Sequence, residues 1–248
     1  ADARKTTDGL YVFSCGIAAK QMADKVNARI VSNGVKGEVH TYSVTDYAES
    51  VINAASGVYS DKAVNAVKAM LNYGTAAQQY FGYNTDNPAN SIMTDDDKNM
   101  DMVGFNTYTG KLVNADSVSG ISYYGSSLVL ESDTILRNYF ELSDGYNIDN
   151  YTFYVKDKDG TKNTLVPQKT DSSLYYIDIS NVKAYELADN VNIYVQKNGD
   201  SEDKIMMLEY GAYVYARYVD KYLDNTALKN LMTAMYHYCN AAIEYVHE

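Results

Sequence analysis

Apolar and polar residues alternate over residues 10–17 and again over 175–182, and that period predicts a β-strand in each stretch. In the second, Tyr176, Asp178 and Ser180 share one face, and Ile177, Ile179 and Asn181 share the other. A short Ala-rich segment follows each stretch, and then a second strand, Val26–Val31 or Val191–Gln196. The dipeptides Asn33-Gly34 and Asn198-Gly199 come next. Both central residues of a type I′ turn need positive φ, so each dipeptide predicts a hairpin into a third strand. Each third strand leads into two helices. The last helix of the first set, Asp61–Phe81, carries Val67, Met70, Leu71, Gly74, Ala77 and Phe81 at helical spacing. Its counterpart, Thr226–Val246, carries Leu228, Leu231, Met235, Cys239, Ala242 and Val246.

These patterns recur because the sequence itself recurs. Tyr11, Ala19, Ala23, Asp24, Val26, Asn27, Asn33 and Gly34 match Tyr176, Ala184, Ala188, Asp189, Val191, Asn192, Asn198 and Gly199, at an offset of 188 − 23 = 165. Asn65, Ala69, Met70, Tyr73, Ala76, Ala77 and Tyr80 match Asn230, Ala234, Met235, Tyr238, Ala241, Ala242 and Tyr245 at the same offset. The sequence therefore reads as a duplication. Glycine inside a helix costs about 1 kcal/mol relative to alanine. Gly74, matched by the small Cys239, therefore predicts a close helix crossing.

Between the copies, residues 112–175 are β-rich. Ser127–Ser132, Thr134–Leu142 and Tyr151–Lys156 read as strands, Asp144-Gly145 and Asp159-Gly160 as turns, and Tyr151, Phe153 and Val155 share one face. Residue 1 already corresponds to position 166, so the first copy lacks this front part. Either the natural protein continues upstream, or the strands of 112–175 complete both halves. The predicted class is α+β, with antiparallel β-layers and a helical pair packed on each of two internal repeats. The division is residues 1–90 for the first copy, 91–111 for a linker and 112–248 for the second copy. The linker region contains the acidic run Asp95-Asp96-Asp97 and follows the Asn87-Pro88 break.

Composition narrows the function classes. The 248 residues carry 21 Lys and Arg against 32 Asp and Glu, a net charge of −11. A chain this acidic makes nucleic acid a poor partner. No apolar run approaches the roughly 18 residues needed to span a bilayer, so no membrane partner is expected. A hydrophobic content of 46% is enough for a real core. The chain begins with Ala1, as expected of a processed chain or an excised piece whose signal peptide has been removed. Cys15 and Cys239 lie far apart without metal-ligand spacing and read as two separate thiols, although one disulfide is compatible with the sequence. Acidity and heavy use of Tyr, Asn, Asp and Ser lean towards secretion.

Several motifs have a familiar look. Val67-Lys68-Ala69-Met70-Leu71-Asn72-Tyr73-Gly74, continuing through Tyr80-Phe81-Gly82-Tyr83-Asn84-Thr85-Asp86-Asn87, is one. Gly125-Ser126-Ser127-Leu128-Val129-Leu130-Glu131-Ser132-Asp133-Thr134, followed by Arg137 and Tyr139-Phe140, is another. From Gly9 to Tyr245 the chain resembles an uncharacterised module of large secreted and cell-surface proteins of gut-dwelling Gram-positive anaerobes. Pro88 departs from that pattern, where a small aliphatic residue is expected. The resemblance implies an extracellular setting on a bacterial surface, beside cell-wall anchors, dockerins, leucine-rich repeats or carbohydrate-active domains. It carries over no functional residues.

Candidate chemistry is sparse. The three histidines, His40, His237 and His247, stand in no G-x-S-x-G or H-E-x-x-H context, which argues against nucleophilic or zinc hydrolysis. A glycosidase needs two carboxylates about 5 to 10 Å apart in a cleft, and 32 acids alone do not select such a pair. Asp95, Asp97, Asn99 and Asp101 alternate like the opening of a calcium loop. Met100 replaces the required glycine and Asn106 the required glutamate, so the run reads first as a solvated acidic linker, with a weak surface calcium site as the other reading. Tyrosine is the unusual residue, with 26 Tyr and no Trp. Tyr210, Tyr213, Tyr215, Tyr218 and Tyr222 read as one crowded helix. Tyr123, Tyr124, Tyr146 and Tyr151 fall at or near turns and are the candidates for stacking on sugar rings. The sequence thus predicts a non-catalytic extracellular module for adhesion, display or spacing. A Tyr-based carbohydrate-binding module is the alternative, and an unrecognised glycoside hydrolase is the third reading. Polysaccharide or another surface protein is the expected partner, and exposed strand edges predict a dimer.

Overall fold

The computed structural model describes residues 2–101, 118–130, 134–157, 159–180, 182–187, 191–200, 204–209 and 224–248. They form α+β architecture with antiparallel sheets. The first residues give two hairpins, β1 (Asp2–Lys5) with β2 (Tyr11–Ser14), and β3 (Val26–Ser32) with β4 (Val35–Tyr42). Asn33 (φ 48°) and Gly34 (φ 79°) are both left-handed and join Ser32 to Val35, so the expected type I′ geometry is present. Helices α1 (Val44–Ile52), α2 (Asp61–Phe81) and α3 (Asp95–Lys98) follow. Ser60 caps the start of α2 by accepting from the Ala63 amide, and left-handed Gly82 ends it.

The middle of the chain builds a sandwich. Its strands are β5 (Ile121–Leu130), β6 (Thr134–Leu142), β7 (Tyr151–Lys156), β8 (Lys162–Leu165), β9 (Gln168–Lys169), β10 (Leu174–Ile179), β11 (Val191–Lys197) and β12 (Lys204–Glu209). One sheet has the order β5-β6-β10-β9 and the other β12-β11-β7-β8, with every pairing antiparallel. Lettered in chain order, these are the A-B-E-D and G-F-C-C′ sheets of an immunoglobulin-type sandwich. Inward residues from both sheets make one core: Ile121, Phe140 and Ile177 from the first, Tyr151, Phe153, Ile193 and Val195 from the second. The Phe140 and Phe153 rings lie 5.1 Å apart, at the heart of the two sheets.

The last helix, α4 (Thr226–Val246), packs along α2. Their shared core holds Leu71, Tyr73, Ala76 and Ala77 of α2 with Leu231, Met232, Met235 and Cys239 of α4. Both 21-residue helices have the bounds expected from periodicity. The division by repeat copies and the grouping by packing therefore differ: helices from opposite ends of the chain share one core, and the sandwich has its own.

Several expectations need correction. The strand expected over Ser127–Ser132 begins six residues earlier, at Ile121, and ends at Leu130. Asn198-Gly199 does not repeat the first turn. Only Gly199 is left-handed (φ 93°), and Asn198 instead donates from its amide to Asn150 O at 2.8 Å. Gly74 does not mark a helix crossing. A Cβ there would meet Met22 Sδ at 2.8 Å, Ala89 Cβ at 3.1 Å and the Ala19 carbonyl at 3.3 Å, so the close neighbours are connecting segments laid over α2. The expected helix with Tyr210 to Tyr222 lies outside the described residues, as does Asn106.

Candidate functional site

Two regions gather polar or aromatic side chains. The first is the face of α2 turned towards the segment after it. Asn72, Thr75 and Gln78 recur every three residues and are buried inside the helix. Gln78 donates to the carbonyls of Asn84 and Asn87 and accepts from the Ala89 amide at 2.8 Å. Thr75 Oγ1 accepts from the Asn90 amide at 2.9 Å, and Asn72 donates to Asp97 O and accepts from Asn90 Nδ2, both at 2.8 Å. Three helix side chains thus bond backbone groups of Asn84, Asn87, Ala89, Asn90 and Asp97, and the amides of buried Ala89 and Asn90 find their acceptors there. The start of the expected linker is accordingly packed structure, with Met93 buried beside Ala89 and Asn90, which precede it.

This clamp forms one wall of a cleft of about 500 Å³ between α2 and α4, lined among others by Asn72, Thr75, Gln79, Asn90, Asn230 and Thr233. Amide and hydroxyl side chains share that lining with Lys98 and with the apolar Ala76, Pro88 and Met100. Such a mixed surface sets hydrogen-bonding groups beside apolar ones, as clefts for small ligands do.

The four calcium candidates serve other contacts. Asp97 takes Lys68 Nζ at 2.8 Å and Thr94 Oγ1 at 2.9 Å, and the Lys68 ammonium holds its carboxyl below the usual aspartate range. Asp95 stands at the exposed start of α3 with Lys98 3.8 Å away, Asn99 ends that helix, and the Asp101 carbonyl lies 2.9 Å from His237 Nε2. Among the described residues, no group of three or more His, Cys, Asp or Glu side chains is placed to hold a metal ion. Neither cysteine forms a disulfide: Cys15 is exposed and Cys239 is buried between the helices.

The second region is the tyrosine set of the sandwich. Tyr151 is not available for stacking. It is 7% exposed, packs in the core with Phe153 and donates to the Ser119 carbonyl at 2.7 Å. Burial also raises its hydroxyl pKa. The sequence error was to read a core position beside a turn as a surface one. Tyr146 sits next to it, with its hydroxyl 2.9 Å from Ser119 Oγ and Lys197 Nζ 5.2 Å from its ring. Gly120 makes this packing feasible: its φ is +84°, and a Cβ there would run into the Tyr146 ring and the Tyr151 hydroxyl.

Tyr123 and Tyr124 part ways. Tyr123 reaches Ser126 Oγ at 2.8 Å, and Ser126 in turn donates to buried Asn138 at 2.7 Å. Tyr124 falls at a break in the β5–β6 register, because Tyr123 pairs with Phe140 and Gly125 with Tyr139. The bulge leaves Tyr124 without a cross-strand partner and turns it outward, at 66% exposure. Of the four tyrosines, Tyr146 and Tyr151 are brought together, and Tyr124 alone is mostly exposed.

The sequence reading also missed an aromatic–cation face on the second sheet. Tyr154 and Tyr194 stack at 5.5 Å and 8°, with Lys162 4.4 Å over Tyr154 and Lys156 4.2 Å over Tyr194. On the first sheet, Arg137 makes a two-pronged ion pair with Asp178 (both contacts 2.7 Å) and covers the Tyr176 ring at 4.1 Å. Alternation within β7 and β11 was the available signal, since Tyr154 and Tyr194 lie on the sheet face opposite core Phe153, Ile193 and Val195, although Tyr154 is itself covered there, at 1% exposure.

No family model, curated protein or solved structure matches this chain.

Proposed function

We propose that this chain is a non-catalytic module of a bacterial cell surface, working extracellularly through association with other polypeptides. The observation that carries the reading is the apolar surface of the two N-terminal hairpins. Leu10, Tyr11, Phe13, Ile30, Val35 and Tyr42 are each more than half exposed, all within 33 consecutive residues. Apolar side chains exposed at this density supply the contacts that association with another polypeptide would bury. The duplication belongs to the same reading. The α2 and α4 bounds lie 165 apart, as do the starts of β3 and β11, and each copy is read as strands followed by a helical pair.

A carbohydrate-binding role is the second reading, favoured by outward Tyr124 and by the amide-lined cleft between α2 and α4. One experiment separates the two. The purified chain is screened on a glycan array and against insoluble polysaccharides, with and without calcium, while its association state is followed by analytical ultracentrifugation. Association without glycan binding supports the first reading. Specific binding that falls on Tyr124→Ala or Asn230→Ala supports the second. Release of soluble sugar from any polysaccharide would overturn both.

A further inference from the structure

The repeat register gives each strand of the N-terminal hairpins a counterpart in the sandwich. β1 answers to β9, β2 to β10, β3 to β11 and β4 to β12. The counterparts live in different surroundings. Ile177 on β10 is fully buried, while its equivalent Val12 on β2 is 43% exposed. Val195 on β11 is 1% exposed, against 68% for its equivalent Ile30 on β3. Ile193 is likewise buried, and its equivalent Ala28 is exposed.

Pairing differs in the same places. β10 is flanked by β9 and β6, and β11 by β12 and β7. Among the described residues, β2 pairs only with β1, and β3 only with β4. Among the described residues the first copy shows the D, E, F and G strands of a sandwich, and none of them stands where β5 to β8, of residues 118–165, stand in the second. Charge points the same way. Residues 1–42 carry six Lys and Arg against four Asp and Glu, whereas residues 118–165 carry four against seven.

We propose that the β1–β4 face is the acceptor half of a second immunoglobulin-type sandwich. Its occupant is a polypeptide segment with the strand chemistry of residues 118–165, which adds two strands beside β2 and two beside β3. Exchange with a second copy of this chain does not solve the problem. Among the described residues of 1–248 there is one set of β5–β8 strands for two acceptor sets, so exchange between two such chains leaves acceptors uncovered. The proposal deepens the association reading above and rests on it.

The test exploits the register. Residue 1 corresponds to position 166, so a second stretch of residues 118–165 fused directly before Ala1 of the full chain restores the spacing found in the sandwich. Amide hydrogen exchange is compared in the fused and unfused chains. Exchange of the Val12, Ala28 and Ile30 amides should slow by about tenfold or more on fusion. Ile30→Glu should abolish that gain while leaving α2 and α4 protection unchanged. Unchanged exchange in β2 and β3, or equal slowing with a shuffled segment of the same composition, would overturn the proposal. So would an unfused dimer whose β2 and β3 are already protected, which would make a second copy the occupant. That last result would leave the association reading standing, whereas a monomer that binds no partner and ignores the fused segment would remove both.

Discussion

The strand pairs β2–β3 and β10–β11 descend from one pattern, with Tyr11, Val26 and Asn27 repeated as Tyr176, Val191 and Asn192. Yet β10 and β11 close a two-sheet core, and β2 and β3 end in solvent. The difference lies in what stands opposite. β5 to β8 supply Ile121, Phe140 and Phe153 against one copy, and no described strand does so for the other. A strand's own pattern sets which residues share a face, and burial is decided by the element laid against that face.

The widest separation between the two regions should come from truncating equivalent positions. Phe140→Ala removes a fully buried ring between the sheets and is expected to cost about 3 to 5 kcal/mol in urea unfolding. Ile177→Ala should cost about 2 to 5 kcal/mol, while its equivalent Val12→Ala should stay within about 0.5 kcal/mol. Similar losses at Ile177 and Val12 would erase the contrast.

The helical core joins the two copies and has its own signature. Tyr73 and Tyr238, equivalent residues, stack at 5.9 Å, and burial pushes the Tyr73 hydroxyl up to about 12. A raised folded value means that the stabilisation is complete below the unfolded value near 10 and is lost as pH rises towards 12. Alkaline melting should therefore cost about 2 to 3 kcal/mol over that window, and Tyr73→Phe should flatten it. An unchanged alkaline slope in Tyr73→Phe would place the burden elsewhere.

A smaller effect should follow at the other end of the pH scale. Lys68 lowers the Asp97 carboxyl, so the stabilisation it brings is present above the usual aspartate value and is lost as pH falls through the lowered one. Asp97→Asn is expected to cost about 0.5 to 1 kcal/mol at neutral pH and less in acid, read from thermal melts between pH 2 and 6. The sandwich transition, followed by Tyr151 and Tyr154 fluorescence against single Phe replacements, should not shift with it.

Much of the local structure was legible. The α2 and α4 bounds follow from helical spacing with Ser60 and Gly82 at the ends of α2, and the Asn33-Gly34 turn follows from its backbone demands. The candidate sites were read less well. Tyr151 and Tyr124 both stand near turns, but a core position buries the first and a bulge frees the second. The Asn72, Thr75 and Gln78 clamp was missed because polar residues inside an amphipathic helix normally signal its wet side. Their spacing of three, ahead of a segment ending in Ala89-Asn90, was the only clue.

By itself the sequence determined the bounds of the two long helices, the Asn33-Gly34 turn and the recurrence of its residues at an offset of 165, because helical spacing and a positive-φ dipeptide act within a few residues of chain. The tertiary structure alone decided that helices 165 residues apart share a core, that among the described residues the strands of the second copy close into a sandwich and those of the first do not, and which of the described tyrosines meet water. Those outcomes depend on which surfaces come to face each other, and a strand with one apolar face reads the same in sequence whether or not anything covers it.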